Sequence, residues 1–488
     1  MSDCSTPTTP ALARADVSTS RVPLYVKAAY GSGSFGTGIM QNSIWMYLMM
    51  FYTDIVLLPS KLVGAALSVG RLWDAFTDPL MGQISDRTRT RFGRRRPYIM
   101  FGSFLWGAAF AALWMASPGW GTTSKVAYLI VMDLMFATGL TVVSTPYMAL
   151  GAEITSDYSE RSRIVAYRFA FFTIGQVAGS SLLNCAGLIQ RASTRFLEGS
   201  PALVDGFQAI LQSLANTAQA SWIAAAIIIS MAAVVSLIIS GAVPREQFAT
   251  RAVTRFRLPS AIKTSLQNRN YLRLLGAQFC AVLAGQLGVP LVPYLCKYWL
   301  KRPEYIMLAF STIAVAIVVA LPLWMRVGRY LDKSVCFRIA CAMAVFNGPI
   351  SLLTINPRYP LLVFPWAMWA GVCQAGIQTF AQSILADIAD EDELLTGERR
   401  EGMYFGVYTL TQKLIGSFGL IWAGIALSLV GYVPNAEQSS GTLWGMRLLY
   451  ACVSLGNAAG VILLRGFPLT RARTAEIQNE VRRRANAG

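Results

Sequence analysis

Two carboxylates stand four residues apart inside an otherwise apolar stretch, Gly70-Arg71-Leu72-Trp73-Asp74-Ala75-Phe76-Thr77-Asp78-Pro79. On a helix that spacing puts Asp74 and Asp78 on one face, and Arg71, three residues before Asp74, shares it. Charge at bilayer depth is expensive and needs an opposite charge, water or a bound cation beside it. Two acids this close in a low-dielectric setting cannot both stay ionised unaided. Either they hold a metal ion such as Na+, or one of them keeps a proton. Both outcomes describe a site for a coupling cation; a purely structural clasp with Arg71 is the plainer alternative. The chain has no histidine, so proton chemistry falls to carboxylates.

The next segment carries six arginines (Arg87, Arg89, Arg91, Arg94, Arg95, Arg96) around Asp86, with glycines at 82 and 93. Arg71, Asp86, Arg87, Arg94 and Arg95 form a candidate conformational latch, in which Asp86 pairs with an arginine or caps a helix until transport breaks the contact. Plain topogenic charge would explain the arginines alone. Asp133 lies two turns before Thr141, suited either to a cation route or to a bond with a neighbouring helix. Gln374, Gln378 and Gln382 make a polar stripe that could line a path or knit helices together. Trp45, Tyr47 and Tyr52 could stack on a sugar ring, though aromatics at helical spacing more often pack as core. The acidic cluster from Asp387 to Glu393, with Glu398 and Glu401, lacks the glycine and ordered spacing of a calcium loop. Partnering the arginines across the molecule suits it better.

The elements that must position these residues are membrane helices. The 488 residues are 54% hydrophobic and 14% charged, and apolar runs long enough to span a bilayer recur along nearly the whole chain. Lipid offers the backbone no hydrogen-bonding partner, so each run is a helix; roughly twelve are expected. The formal charge of +17 sits in loops between spans. This follows the positive-inside rule with both termini cytoplasmic and argues against a nucleic-acid partner. The eight cysteines show neither metal-ligand spacing nor a disulfide framework. No phosphate-binding glycine loop is present, which leaves ATP coupling unsupported.

Residues 1–22 read as a disordered cytoplasmic tail, 23–243 as one six-helix half, 244–270 as a basic cytoplasmic linker, 271–465 as a second half and 466–488 as a cytoplasmic tail. The segment 190–220 reads as an outer connection. Two internal echoes support the division. Ala152-Glu153-Ile154 ahead of Glu160-Arg161 matches Ala386-Asp387-Ile388 ahead of Glu398-Arg399, and Gly82 to Arg87 matches Gly328 to Lys333. Parallel repeats of this kind place a substrate site between two halves that rock about it.

Taken together, Phe51-Tyr52-Thr53-Asp54, Trp73-Asp74 through Pro79, Ser85-Asp86-Arg87-Thr88 through Pro97, and Gly431-Tyr432-Val433-Pro434-Asn435 resemble the glycoside–pentoside–hexuronide:cation symporters. These are melibiose permease-like members of the major facilitator superfamily, with vertebrate lysophospholipid symporters as distant relatives. The resemblance runs from about Tyr30 to Arg465. It implies an all-α fold of twelve membrane helices in two pseudo-symmetric halves, and no enzymatic activity. It further implies alternating access in a bacterial inner membrane and a monomeric carrier whose partners are the bilayer and a small solute. By the same resemblance the cation site falls on Asp74, Asp78, Thr141 and Ser144, with Na+ or H+ as the coupling ion and no other cofactor. The substrate positions fall on Gly38, Arg168, Gln378, Thr409 and Lys413.

Departures from the family pattern narrow the cargo. Gly38 and Ser144 stand where melibiose permease has aspartates, and Met148 and Gln378 where it has tryptophans. The carboxylates that accept hydrogen bonds from sugar hydroxyls are missing while the basic residues remain. A different glycoside, or an anionic solute such as a uronate, a sulfonate or a lipid-like phosphate paired to Arg168 and Lys413, is therefore expected. A proton-coupled antiporter would share this architecture. A membrane enzyme would need a nucleophile–base pair or metal set that the sequence does not show.

Overall fold

The computed structural model describes residues 22–155, 158–199, 210, 212–214, 217–244, 265–396 and 401–487, and among them every regular element is helical. Helix α1 (Leu24–Ser43) passes through a π-helical turn (Ile44–Leu48) into α2 (Met49–Asp54). Next come α3 (Ser60–Arg87), α4 (Arg96–Ala112), α5 (Thr122–Glu153), α6 (Tyr158–Gly179), α7 (Leu182–Gly199) and α8 (Ala218–Ala242). The later part of the chain opens in the same way. Helix α9 (Arg269–Gly288) leads through α10 (Leu291–Tyr294) into a second π-helical turn (Leu295–Trp299). It continues with α11 (Tyr305–Val327), α12 (Lys333–Val345), α13 (Asn347–Thr354), α14 (Val363–Thr396), α15 (Glu401–Leu429), α16 (Ser440–Ser454), α17 (Asn457–Leu463) and α18 (Arg471–Ala487).

Eight of these stretches are long and apolar enough to cross a membrane, and α6 with α7, bent by 46°, makes a ninth. The pair α1–α2, α3 and α4 complete the expected twelve. They are less uniformly apolar or shorter: α1 is rich in Gly and Ser, α3 carries Arg71, Asp74 and Asp78, and α4 has only 17 residues.

Small residues let these helices approach closely, as they must where lipid supplies no hydrophobic drive. A Cβ on Gly38 would come within 2.6 Å of the Phe172 carbonyl oxygen on α6. Between α3 and α15, a Cβ on Gly64 would run into Leu420 O, and one on Gly424 into Ser60 O. Ser60 Oγ instead donates to Gly424 O at 3.0 Å.

One hydrophobic core spans both parts of the chain near Asp54, joining Met50, Phe51 and Trp114 to Leu291, Tyr294 and Trp366. At the opposite end, where the arginine turn lies, the core divides. One cluster around Tyr30, Ile99 and Ile164 draws on early residues, and another around Phe337, Phe380 and Tyr404 on late ones. We call these the Asp54 end and the basic end.

Residues 1–21 of the expected tail and 245–264 of the expected linker lie outside the described residues. The expected tail 466–488 is a docked helix over most of its length. Ile477 of α18 is buried, Gln478 Nε2 donates to Asp390 Oδ2 at 3.1 Å, and the Arg471 amide donates to Asp332 Oδ1 at 2.8 Å. The expected connection 190–220 begins as the continuation of α7 to Gly199.

Candidate functional site

Helices α3, α5 and α15 bring the acid pair together with the residues expected beside it. Thr141 Oγ1 donates to Asp78 Oδ1 at 2.9 Å and lies 3.4 Å from Asp74 Oδ1. Thr77 adds a second hydroxyl, 3.2 Å from that of Thr141. Lys413 Nζ reaches across from α15 to pair with Asp78 Oδ2, and it also donates to the Asp74 backbone carbonyl at 3.2 Å. Carboxylate and hydroxyl oxygens converging in this way suit a hard monovalent cation or a proton. Lys413 supplies a positive charge beside the two acids. Ser144 is half-buried one turn further along the Thr141 face of α5. Thr409 lies one turn before Lys413, its hydroxyl bonded to Phe405 O at 2.9 Å.

On the Asp54 side of this cluster is a cavity of about 380 Å³, walled by both parts of the chain. Asn42, Trp45, Arg71 and Gln176 line one side; Gln286, Gln374, Gln378 and Gln412 line the other, with Phe310, Ile313 and Trp366. Arg71, expected in the latch grouping, lines this cavity and stands over the Trp45 ring at 5.2 Å. Among the aromatics weighed with it, Tyr47 and Tyr52 are buried packing residues, donating to Ser180 O at 2.5 Å and Leu113 O at 3.0 Å.

Two expected substrate positions lie elsewhere. Gly38 is sealed against the α6 backbone, which leaves no room for a side chain. Arg168 contacts Met148 Sδ at 3.0 Å, about two turns along α6 from the cavity-lining Gln176. Gln382, the third member of the glutamine stripe, is exposed. Asp133 turns to α3 and packs on Gly70, a position where any Cβ would collide with its carboxylate, and its Oδ2 is buried without a hydrogen-bond partner.

Each end of the molecule has its own polar fastening. At the Asp54 end the Asp54 carboxylate pairs with Lys297, accepts from Tyr298 at 2.8 Å and accepts from Tyr432, while Asn435 donates to its backbone carbonyl. Thr53 and Tyr294 add a 2.9 Å hydroxyl contact. These contacts all join early to late residues. Sequence marked Asp54 and Asn435 only as parts of separate motifs, and nothing in either motif announces the other.

At the basic end the described ion pairs are local. Glu153 Oε1 takes Arg94 at 2.7 Å and Arg95 at 3.0 Å, Lys27 takes Glu160 at 2.6 Å, and Lys333 takes Asp387 at 2.6 Å. Glu153 is an acid beside the arginine turn that the sequence reading did not single out for it; the Asp86 side chain and Glu398 lie outside the described residues, and Arg87 is exposed. Within the acidic cluster Asp387 pairs with Lys333, and Glu391 accepts from Asn270 at 2.8 Å. These bonds stay among late residues where a bridge to the arginines was expected.

Residues 29–471 match the family described as MFS/sugar transport protein. The chain is 26% identical to a putative sulfoquinovose importer of Salmonella typhimurium, over 97% of this chain and 96% of the relative. It is 25% identical to a putative glycoside/cation symporter, YagG, of Escherichia coli, over 95% and 96%. Its fold is similar to that of a bacterial homologue of the human lysosomal transporter Spinster, solved in an inward-facing, unoccupied conformation. That match has a TM-score of 0.67 at 14% identity and covers 93% of this chain and 98% of that one.

Proposed function

Because the chain belongs to the MFS/sugar transport protein family, and so is a membrane transporter of the major facilitator fold and not an enzyme, we propose that it is a symporter that carries a sugar-like polar solute together with a cation bound at Asp74 and Asp78. The observation that carries this reading is the junction of Asp74, Asp78 and Thr141 with Lys413, across the seam between the two parts of the chain and next to the shared cavity. A cation that enters the acid pair competes with Lys413 for Asp78. It thereby changes the bond that ties α3 to α15 at the edge of the solute site. Coupling then needs no signal over distance, since cation and solute act on the same seam.

In this reading residues 23–243 and 271–465 are the two rocking halves. The positive-inside rule puts the basic end, with both termini, in the cytoplasm of a bacterial cell. The unified core and the Asp54 network then close the outer side, and the divided core opens the inner one. The printed names of the relatives, a sulfoquinovose importer and a glycoside/cation symporter, favour uptake of a sugar derivative driven by Na+ or H+. The protein reconstituted in vesicles tests this. An inward Na+ or H+ gradient is expected to accelerate solute accumulation, and Asp74→Asn with Asp78→Asn to abolish the acceleration. Gradient-driven accumulation that survives in the double variant would remove the proposal.

A further inference from the structure

We infer that Arg71 is the anchor for an anionic group on the transported solute, so that the cargo is a small organic monoanion, a sugar carboxylate or sulfonate. The inference rests on the transport reading above and deepens it. Among the described residues lining the cavity, Arg71 is the one charged side chain, and no carboxylate lines it. The guanidinium makes no hydrogen bond or ion pair among the described residues; it stands over Trp45, with Asp74 and Asp133 as its charged neighbours. A cation with five N–H donors facing a cavity of about 380 Å³ is underused, and a carboxylate or sulfonate can engage two of those donors side by side. The remaining polar lining is neutral amide, Asn42, Gln176, Gln374, Gln378 and Gln412, which can both donate to and accept from hydroxyls. Trp45 offers a ring face beside the anion.

The other cations once expected to meet an anion are placed differently. Lys413 is bound to Asp78, and Arg168 lies against Met148. The size also fits: about 380 Å³ lies at the low end of the range for small-ligand sites.

The test is binding to the purified full chain, read by thermal unfolding and tryptophan fluorescence. The probes are D-glucuronate and sulfoquinovose, with D-glucose as the neutral counterpart. At least one anion is expected to bind ten or more times tighter than glucose. Arg71→Gln is expected to erase that preference at least tenfold, and Arg71→Lys to keep part of it. The wild-type comparison needs no variant, so a misfolded Arg71→Gln protein does not rescue the idea. Glucose binding as tightly as both anions, failure of both anions to bind, or unchanged anion affinity in folded Arg71→Gln overturns it. Gradient-driven uptake of a neutral sugar alongside any of these results would leave the symport reading standing and remove only the anion anchor.

Discussion

In the proposed scheme Lys413 holds the place that a coupling cation must contest. Its bond to Asp78 and its contact with the Asp74 backbone carbonyl set a positive charge beside the acid pair. A unit charge at this distance in a partly hydrated site is worth on the order of a few kcal/mol. Lys413→Gln is therefore expected to tighten cation binding by about tenfold or more while slowing net uptake, because the unloaded acids lose their substitute partner. Isothermal titration with Na+ and a vesicle uptake assay measure the two effects separately, and weaker cation binding would count against the scheme. The acid pair itself is legible in the sequence because helical spacing fixes which residues share a face. Thr141 and Lys413 come within view only through family resemblance, since contacts across helices leave no local pattern. The place of Arg71 is not legible in the sequence, for a definable reason. A helical wheel gives the azimuth it shares with Asp74 but not the height its long side chain reaches, here up to Trp45 and away from the arginine turn. Gly38 shows the converse: its lack of a side chain is a packing requirement against Phe172 O.

At the level of elements, the α3–α15 seam depends on two glycines. Any side chain on Gly64 or Gly424 meets the facing backbone, so Gly64→Val or Gly424→Val must part the helices near the Asp54 end. In purified protein, a Thr53→Cys reporter is expected to react several times faster with a bulky maleimide in either valine variant. An unchanged rate would show that the seam yields without opening. Spans are readable from hydropathy where they are uniformly apolar, such as α8 and α11. Helix α18 escaped because its burial depends on little more than Ile477, Thr474 and hydrogen bonds to Asp390 and Asp332. The reach of α7 to Gly199 escaped because its amphipathic surface resembles a polar connection.

For the molecule as a whole, Asp54 is the knot of the closed end. It takes Lys297, Tyr298 and Tyr432 through its carboxylate and Asn435 through its carbonyl. Removing one partner of such a buried charge pair costs roughly 3–5 kcal/mol, and that cost falls only on the state closed at this end. Asp54→Asn is therefore expected to lengthen spin-label distances across the Asp54 end and to populate the oppositely open form; a distance distribution identical to wild type would contradict this. The early and late parts of the chain share two local features. Glu153 with Arg95 and Asp387 with Lys333 each form an ion pair at the basic end, and π-helical turns interrupt the first and seventh traverses alike. Those ion pairs tie each part to itself, so swinging the basic end apart ruptures none of them, whereas swinging the Asp54 end apart must undo a whole polar knot at once. In the proposed cycle, unsealing the Asp54 end is therefore expected to be a slow step of turnover, since several polar bonds must come apart together.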